Sequence, residues 1–170
     1  MRAILTKKFY QRQTSRVAKE LLGKWLVRKT GISTIAGMIT EVEVYDGFGD
    51  RASHAWRRKT KRNKVMFEEG GVWYVYLVYG MHEMLNIVTR EEGYPAAILI
   101  RGVLVAHAHM NGPGKITQFF KIDRRLNGKR AERKNGLWIE DRGLRPKHIK
   151  KGRRIGVEYA GRWKHALLRL

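Results

Sequence analysis

Strand-like segments dominate this sequence, and many of them are separated by only a few residues. They are rich in valine, isoleucine and aromatic side chains, which favour strands. Because so little chain lies between them, neighbouring segments are expected to pair in an antiparallel manner. The predicted strands begin at Trp25 and then cover residues 37–45, 72–79, 85–88, 96–101, 137–140 and 155–159. We therefore predict an α+β fold with a curved, mainly antiparallel and open-barrel-like sheet flanked by helices.

Two helices are predicted beside this sheet. Residues 15–22 bring apolar side chains to one face and are followed by Gly23, a common helix stop, and residues 115–122 follow a Gly-Pro-Gly turn. Residues 57–64 predict a basic loop or the start of a short helix. No linker, repeat or low-complexity tract divides the 170 residues, so we expect one domain spanning residues 1–170.

The net charge of the chain is strongly positive. Lysine and arginine total 36 against 15 aspartate and glutamate residues, which gives +21 at pH 7. Such a charge attracts polyanions, so nucleic acid is the expected partner. A membrane surface is a weaker candidate, because no basic amphipathic helix with a broad apolar face stands out. A charge-rich surface of the thermophile type would mix both signs, whereas positive charge dominates in this chain.

The chain has no cysteine, which excludes disulfides, zinc ribbons, iron–sulfur clusters and thiol nucleophiles. Its first residues contain no apolar stretch of signal-peptide length, and no apolar run approaches a membrane span. A soluble, cytoplasmic protein is therefore expected. His107 and His109 have a spacing close to that of metal ligands, but no third ligand is obvious nearby, so no metal site is predicted.

One candidate for chemistry is Glu43, which lies between two valines in the predicted strand 37–45. Side chains alternate along a strand, so Glu41, Glu43 and Tyr45 are expected on one face. A carboxylate beside an aromatic ring and partly removed from water has a raised pKa, and it can act as a general base near neutral pH. The simpler alternative is a solvated strand face, since Glu41 on the same side is also charged.

Three tyrosines crowd the predicted strand 72–79. Alternation places Tyr74 and Tyr76 on one side and Tyr79 on the other, unless Gly80 bends the end of the strand. Aromatic residues in this pattern are usually part of a core. Their alternative role is to stack on nucleobases or, at the end of a strand, to wedge into a duplex from which a base has been flipped.

Further polar residues have two explanations each. His54 is, by itself, more typical of a structural hydrogen bond than of catalysis. Asn86 and Arg101 lie in or beside apolar strands, where they either satisfy backbone groups or line a pocket.

Residues 57–64 and 145–154 form two basic clusters, which are best explained by phosphate contacts, although a solvated face is the alternative. The first cluster consists of Arg57, Arg58, Lys59, Lys61, Arg62 and Lys64.

A series of short motifs occurs in a specific order along the chain. They are Glu41-Val-Glu-Val-Tyr45, Ala52-Ser-His-Ala55, Thr60-Lys-Arg-Asn63, Tyr74-Val-Tyr76, Tyr79-Gly-Met-His82 and Asn86, followed by Ala97-Ile-Leu-Ile-Arg101 and Gly112-Pro-Gly-Lys115. Together they cover most of the chain and are far more specific than any single motif. With these motifs the chain resembles the alkyladenine (3-methyladenine) DNA glycosylase family.

The resemblance implies a monofunctional base-excision enzyme. Its partner is double-stranded DNA that contains damaged purines, such as 3-methyladenine, 7-methylguanine or hypoxanthine, and its product is an abasic site. The enzyme would be a monomer, associated with the nucleoid when bound to DNA. The resemblance implies no metal, no organic cofactor and no strand-cleaving lyase step.

The resemblance also implies a role for individual residues. Glu43 is at the catalytic position, where the carboxylate deprotonates the attacking water, and Arg101 helps to hold that water and the carboxylate. The residues that match the sandwich around the extruded base are Tyr45, His54 and Tyr76. Tyr79 matches the intercalating residue, and Asn86 matches the position that crowds the exocyclic amino group of guanine.

The chain departs from the family in three places. Residues 102–111 are shorter than the usual loop and helix, Gly102 stands where alanine is usual, and the sequence ends before the usual final segment. These differences concern the pocket rim and the range of substrates, and they leave the matched catalytic positions intact.

Two other functions are compatible with the residues. A non-catalytic basic nucleic-acid-binding module explains the charge and the tyrosines but gives Glu43 no role. A metal-dependent nuclease would group carboxylates around divalent ions. Its candidate ligands are Glu41, Glu43, Asp46 and Asp50.

Overall fold

The computed structural model describes residues 2–170, and its named strands belong to one antiparallel sheet. The strands are β1 (Ala3–Ile4), β2 (Trp25–Thr30), β3 (Ser33–Asp46), β4 (Trp73–Val78), β5 (His82–Val88), β6 (Ala96–Val105), β7 (Ala108–Asn111) and β8 (Leu137–Asp141). Their order is β1-β8-β2-β3-β6-β5-β4, with β7 paired to β6, and the sheet does not close into a barrel. The α-helices are α1 (Lys7–Tyr10), α2 (Thr14–Leu21) and α3 (Pro113–Phe119). Short 3-10 helices lie at Lys64–Phe67, Arg124–Leu126, Arg133–Asn135 and Glu158–His165.

The long strand β3 joins the two halves of the sheet. Its first part pairs with β2, and from Met38 onward it also pairs with β6. The register between β3 and β6 shifts on both sides of Glu41, and such a bulge bends a strand and redirects its side chains. Gly102 lies opposite this bulge, where an added Cβ would come within 2.8 Å of the Cβ of Glu41. The close approach of the two strands therefore requires a glycine.

The two faces of the sheet have different neighbours. Val42 and Val44 point into the main hydrophobic core, where they join α2, α3 and the fully buried Trp73. The indole of Trp73 donates a hydrogen bond of 3.1 Å to the carbonyl of Leu137, so its polar atom is also satisfied. The opposite face is covered by the loop that leads into the 3-10 helix Lys64–Phe67. A single sheet thus separates an apolar core from a second, smaller layer.

The last residues of the chain lie along the second half of β3, beyond its pairing with β2. Val42 and Leu170 exchange backbone hydrogen bonds of 3.0 and 2.9 Å, and the N–H of Val44 donates to the carbonyl of Leu168 at 2.8 Å. The backbone groups that β3 would otherwise present at an unpaired edge are satisfied in this way.

The predicted α+β class and the open antiparallel sheet are confirmed. The helix predicted at 15–22 is α2, and the one predicted at 115–122 begins two residues earlier and ends at Phe119. The strand predicted at 155–159 is wrong, because this segment is a bend followed by the start of the last 3-10 helix. Among residues 2–170, no helix has both the length and the apolar character that crossing a bilayer requires.

The segment after Arg101 forms a compact hairpin. β6 continues to Val105 and turns back as β7, and Ala106 adopts a positive φ of 51° in the turn. The sequence alone did not predict this hairpin.

We predict that Gly102→Ala destabilises the protein by about 1–3 kcal/mol, because the added methyl group overpacks the contact with Glu41 and Thr40. Urea unfolding measures the difference in free energy. Gly49→Ala is the control, since its added methyl group would meet only Trp163, at an ordinary distance of 3.9 Å. Equal unfolding midpoints for both variants would contradict the role assigned to Gly102.

Candidate active site

A row of four side chains crosses four neighbouring strands on the face opposite the main core. Tyr74 on β4 pairs with Asn86 on β5, Asn86 pairs with Leu99 on β6, and Leu99 pairs with Glu43 on β3. All four line a cavity of about 370 Å³. Because cross-strand neighbours point to the same face, the sheet pairing alone brings residues from distant parts of the sequence to one floor.

Glu43 is fully buried at this floor, with 0% of its surface exposed. The backbone N–H of Ile155 donates to its Oε1 at 2.9 Å, and the hydroxyl of Tyr45 donates to its Oε2 at 2.8 Å. Burial raises the pKa of Glu43, while the Ile155 N–H, Arg101, Tyr45 and Arg154 oppose this rise by favouring the charged form. The solvated strand face considered from the sequence is therefore wrong for Glu43.

Arg101 connects Glu43 to a second carboxylate. Its Nε lies 3.1 Å from Oε1 of Glu41 and 3.5 Å from Oε1 of Glu43. Glu41 also accepts a hydrogen bond of 3.1 Å from Nη1 of Arg169 in the terminal segment. Arg101 and Arg169 thus both pair with the carboxylate of Glu41. Glu41, which lies outside the cavity floor, therefore holds Arg101 beside Glu43.

Aromatic rings form the walls of the cavity. The ring of His54 lies edge-on to Tyr76, with 4.6 Å between centroids, and the centroids of Tyr74 and Tyr76 are 5.0 Å apart. A hydrogen bond of 3.0 Å joins Nδ1 of His54 to the Tyr74 hydroxyl. Burial raises the pKa of Tyr45, Tyr74 and Tyr76, so these walls are neutral at physiological pH.

His54 is exposed to solvent where it lines the open cavity, and many protein atoms lie near its ring. Desolvation lowers its pKa to about 4, and the positive charge of Arg62 adds to the effect. Asn63 fixes the backbone here, because its amide donates to the carbonyls of His54 and Arg58 at 2.8 and 3.0 Å. The histidine is therefore a neutral, well-positioned wall residue.

Asn86 satisfies backbone groups and also lines the cavity, so both possibilities considered from the sequence apply. Its buried amide nitrogen donates to the carbonyl of Tyr74 at 3.1 Å and to that of Met84 at 3.3 Å. These bonds fix the orientation of the amide relative to the floor.

Tyr79 projects from the tip of the β4–β5 hairpin. It has a positive φ of 52°, Gly80 follows with 71°, and the N–H of Met81 donates to the carbonyl of Val78 at 3.2 Å. Positive φ at both central residues is typical of tight hairpin turns. The turn reverses the simple alternation, so Tyr79 lies at the mouth of the cavity with 88% of its surface exposed.

One wall of the cavity was missed by sequence reasoning. It is formed by Ile155, Gly156, Val157 and Tyr159, and the hydroxyl of Tyr159 donates to the carbonyl of Ala52 at 3.2 Å. The segment has an alternating pattern that resembles a strand, and no local feature indicates a contact with residues more than 100 positions away.

The two basic clusters differ in the structure. Residues 57–62 are largely exposed on the loop next to His54, and Arg62 lies over the ring of Tyr76 at 5.6 Å. In the second cluster, Arg145 forms an ion pair of 2.7 Å with Asp141, and Arg154 is fully buried against Asp50. The phosphate contact predicted for Arg154 is therefore wrong.

Each of the four carboxylates of the nuclease alternative is paired with a cation or a hydrogen-bond donor of the protein, and Glu41 and Glu43 share Arg101. Asp46 accepts a hydrogen bond from Thr14 at 2.9 Å, Asp50 pairs with Arg154, and Glu41 pairs with Arg101. Within residues 2–170, no three His, Cys, Asp or Glu residues are grouped so that they could hold a metal ion. This arrangement gives no support to a shared ion among the four carboxylates.

Comparison with known proteins gives a consistent picture. The sequence pattern of the family described as "Methylpurine-DNA glycosylase (MPG)" matches residues 8–170. A protein of Methanocella arvoryzae is 42% identical over 93% of this chain and 86% of its own length, and one of Legionella pneumophila is 42% identical over 97% and 92%. A protein of Chlorobium phaeobacteroides is 40% identical over 91% and 87%. All three are named "Putative 3-methyladenine DNA glycosylase".

We predict that His54 titrates with a midpoint of about 4, because desolvation and Arg62 disfavour its charged form. NMR titration of the histidine ring signals measures this midpoint, and a His54→Asn variant assigns the signal by its loss. Since the unfolded chain binds this proton below about pH 6.5, the contribution of His54 to stability should decline as the pH falls from 6.5 towards 4. A midpoint near 6.5 would contradict the prediction.

Proposed function

The chain belongs to the methylpurine-DNA glycosylase family, and we propose that it excises damaged purines from duplex DNA by hydrolysing the N-glycosidic bond. The proposed substrates are 3-methyladenine, 7-methylguanine and hypoxanthine, and the product is an abasic site. The observation that carries the proposal is the buried carboxylate of Glu43, which three separate groups hold at the floor of an aromatic cavity.

Glu43 is proposed to act as the general base. Its raised pKa brings the carboxylate closer to the pH at which it can accept a proton from water, while its hydrogen-bond donors keep it ionised before the reaction. Hydrolysis of a glycosidic bond passes through a state with positive charge on the sugar. An anion fixed beside that charge in a site with little water stabilises it electrostatically.

Arg101 and Tyr45 are proposed to orient this base. The hydroxyl of Tyr45 engages Oε2, and Arg101 approaches Oε1, so the carboxylate is held from two sides. A water placed between Glu43 and the anomeric carbon would complete the reacting group. Glu43 takes the proton of that water as its oxygen bonds to the anomeric carbon, and the C–N bond breaks with its electron pair passing to the departing purine, which leaves the abasic sugar.

The aromatic walls are proposed to hold the extruded base. Tyr45, His54 and Tyr76 line the cavity, and ring faces beside a nucleobase contribute about 1–3 kcal/mol per base. A neutral His54 adds no positive charge next to an alkylated purine, which is itself a cation. Asn86, with its amide held by the sheet, is proposed to crowd the exocyclic amino group of normal guanine.

The exposed surface beside the cavity is proposed to bind the duplex. Tyr79 stands at the cavity mouth, where an aromatic ring can fill the space left by a flipped base. The adjacent loop would contact phosphates and make binding dependent on salt. Its residues are Arg57, Arg58, Lys59, Lys61, Arg62 and Lys64.

Glu43→Gln is predicted to abolish base release while DNA binding is retained, because the amide cannot accept the proton of the attacking water. Release of the base from a duplex with one hypoxanthine, measured under single-turnover conditions in the presence of a chelator, checks this. Glu41→Gln is the matched variant on the same strand face and should keep measurable activity. Base release by Glu43→Gln at the wild-type rate would refute the assignment. Tight binding with no release by the wild type would instead indicate a binding module.

Tyr79→Ala is predicted to slow excision from duplex DNA by about fivefold to a hundredfold, because the loss of a stacking ring removes about 1–3 kcal/mol from the flipped state. The same variant should act almost normally on a single-stranded substrate, where no duplex gap has to be filled. Tyr79→Phe retains the ring and should restore the rate. Equal rates for wild type and Tyr79→Ala on duplex DNA would eliminate the wedge.

A further inference from the structure

A buried ion pair lies behind the cavity wall, outside the set of residues that line the cavity. Nη1 and Nη2 of Arg154 lie 2.5 and 2.8 Å from the two oxygens of Asp50, and Nη1 also donates to the carbonyl of Val44 at 2.8 Å. Both side chains are almost completely buried, with 0 and 1% exposed. Such a two-bond contact fixes the direction of the guanidinium as well as its distance.

The pair connects two walls of the cavity that have little regular structure. Asp50 accepts the N–H of Ala52 at 3.0 Å and so anchors the loop that carries His54. Arg154 immediately precedes Ile155, whose N–H reaches Glu43. The guanidinium also lies over the ring of Tyr45, with its Cζ 4.8 Å from the centroid. The pair therefore contacts the His54 loop and the ring of Tyr45, and it directly precedes in the chain the N–H that reaches Glu43.

The segment between β8 and the last 3-10 helix has few other anchors near Glu43. Within the described residues, its backbone forms an isolated bridge between Gly152 and Arg169, and the carbonyl of Arg153 accepts a hydrogen bond of 2.8 Å from Nε of Arg169. Ile155 directly follows Arg154 in the chain. The position of Arg154 therefore determines the direction in which the N–H of Ile155 points.

We propose that the Asp50–Arg154 pair is a positioning device for the proposed general base. By holding the N–H of Ile155 on Glu43, it determines the pH range in which Glu43 can accept a proton from the attacking water. Arg154 touches neither substrate nor water in this scheme and acts only through Ile155, Tyr45 and its own charge. This role rests on the proposed function of Glu43.

The charges around Glu43 determine the direction of the expected effect. Arg154 and the Ile155 N–H both favour the ionised carboxylate, against the effect of burial. Loss of Arg154 should therefore raise the pH at which Glu43 becomes ionised. The titratable and charged groups that face Glu43 are Glu41 and Tyr45 on β3, Arg101 on β6, Tyr76 on β4, Arg154, and Arg169 in the terminal segment.

The test is the pH dependence of hypoxanthine release from duplex DNA by the full chain, under single-turnover conditions. Wild type is compared with Arg154→Met and with Arg154→Lys, which keeps a cation opposite Asp50 but not the two-bond contact. Arg125→Met is the control, because Arg125 forms the same kind of contact with Asp123 but is 88% exposed and remote from the cavity. Circular dichroism and duplex affinity are measured for each variant.

We expect the rising limb of the rate profile to move to higher pH in Arg154→Met, by about one unit. At a pH below both midpoints, the rate would then be about tenfold lower, and the difference would shrink as the pH rises. Arg154→Lys should show a smaller displacement in the same direction, while duplex affinity and the Arg125→Met profile stay at the wild-type values.

Two results would overturn the positioning role while leaving the proposed function intact. One is an unchanged profile in Arg154→Met, and the other is an equal loss of rate at every pH, which a merely structural role would produce. If Arg154→Met does not fold, Arg154→Lys decides alone: a displaced rising limb supports the role and a wild-type profile refutes it. Absence of release by every protein, wild type included, would refute the proposed function and the positioning role together.

Discussion

A carboxylate buried in an apolar sheet is costly unless hydrogen bonds and nearby cations replace the water it has lost. Glu43 meets this condition with one donor on its own strand, one cation on β6 and one backbone N–H from the segment before the last 3-10 helix. These groups come from three separate parts of the sequence. β3, β6 and the segment before the last 3-10 helix therefore all meet at one side chain, that of Glu43.

The sheet provides the simplest part of this arrangement. Pairing across β4, β5, β6 and β3 brings Tyr74, Asn86, Leu99 and Glu43 into one row. The bulge at Glu41, opposite Gly102, moves Glu41 out of strict register, and Arg101 lies within reach of both Glu41 and Glu43. The floor of the cavity and the ion pairs beside it thus follow from strand register, whereas the walls depend on loops held by side chains.

The sequence was most informative where local periodicity decides the structure. Alternation correctly placed Val42 and Val44 opposite Glu43. For Tyr79 it left two sides open, depending on whether Gly80 bends the strand, and the turn at Tyr79 and Gly80 brings Tyr79 to the cavity. It failed where a distant side chain overrides the local pattern. Ile155 lies in a strand-like segment but gives its N–H to a carboxylate 112 positions away. Arg154 resembles a surface cation but pairs with an aspartate 104 positions away.

The distance along the chain between Glu43 and Ile155 also has a consequence for how the protein folds. Contacts between residues so far apart require the closure of a very long loop, which makes them slow to form compared with hairpins such as β4–β5. A chain that has formed its sheet but not yet docked this segment would hold its basic loop and tyrosines without an oriented Glu43. In such a partly folded chain the N–H of Ile155 would not yet reach Glu43, so the set of donors around this carboxylate is completed only by the docking of a segment from the far end of the sequence.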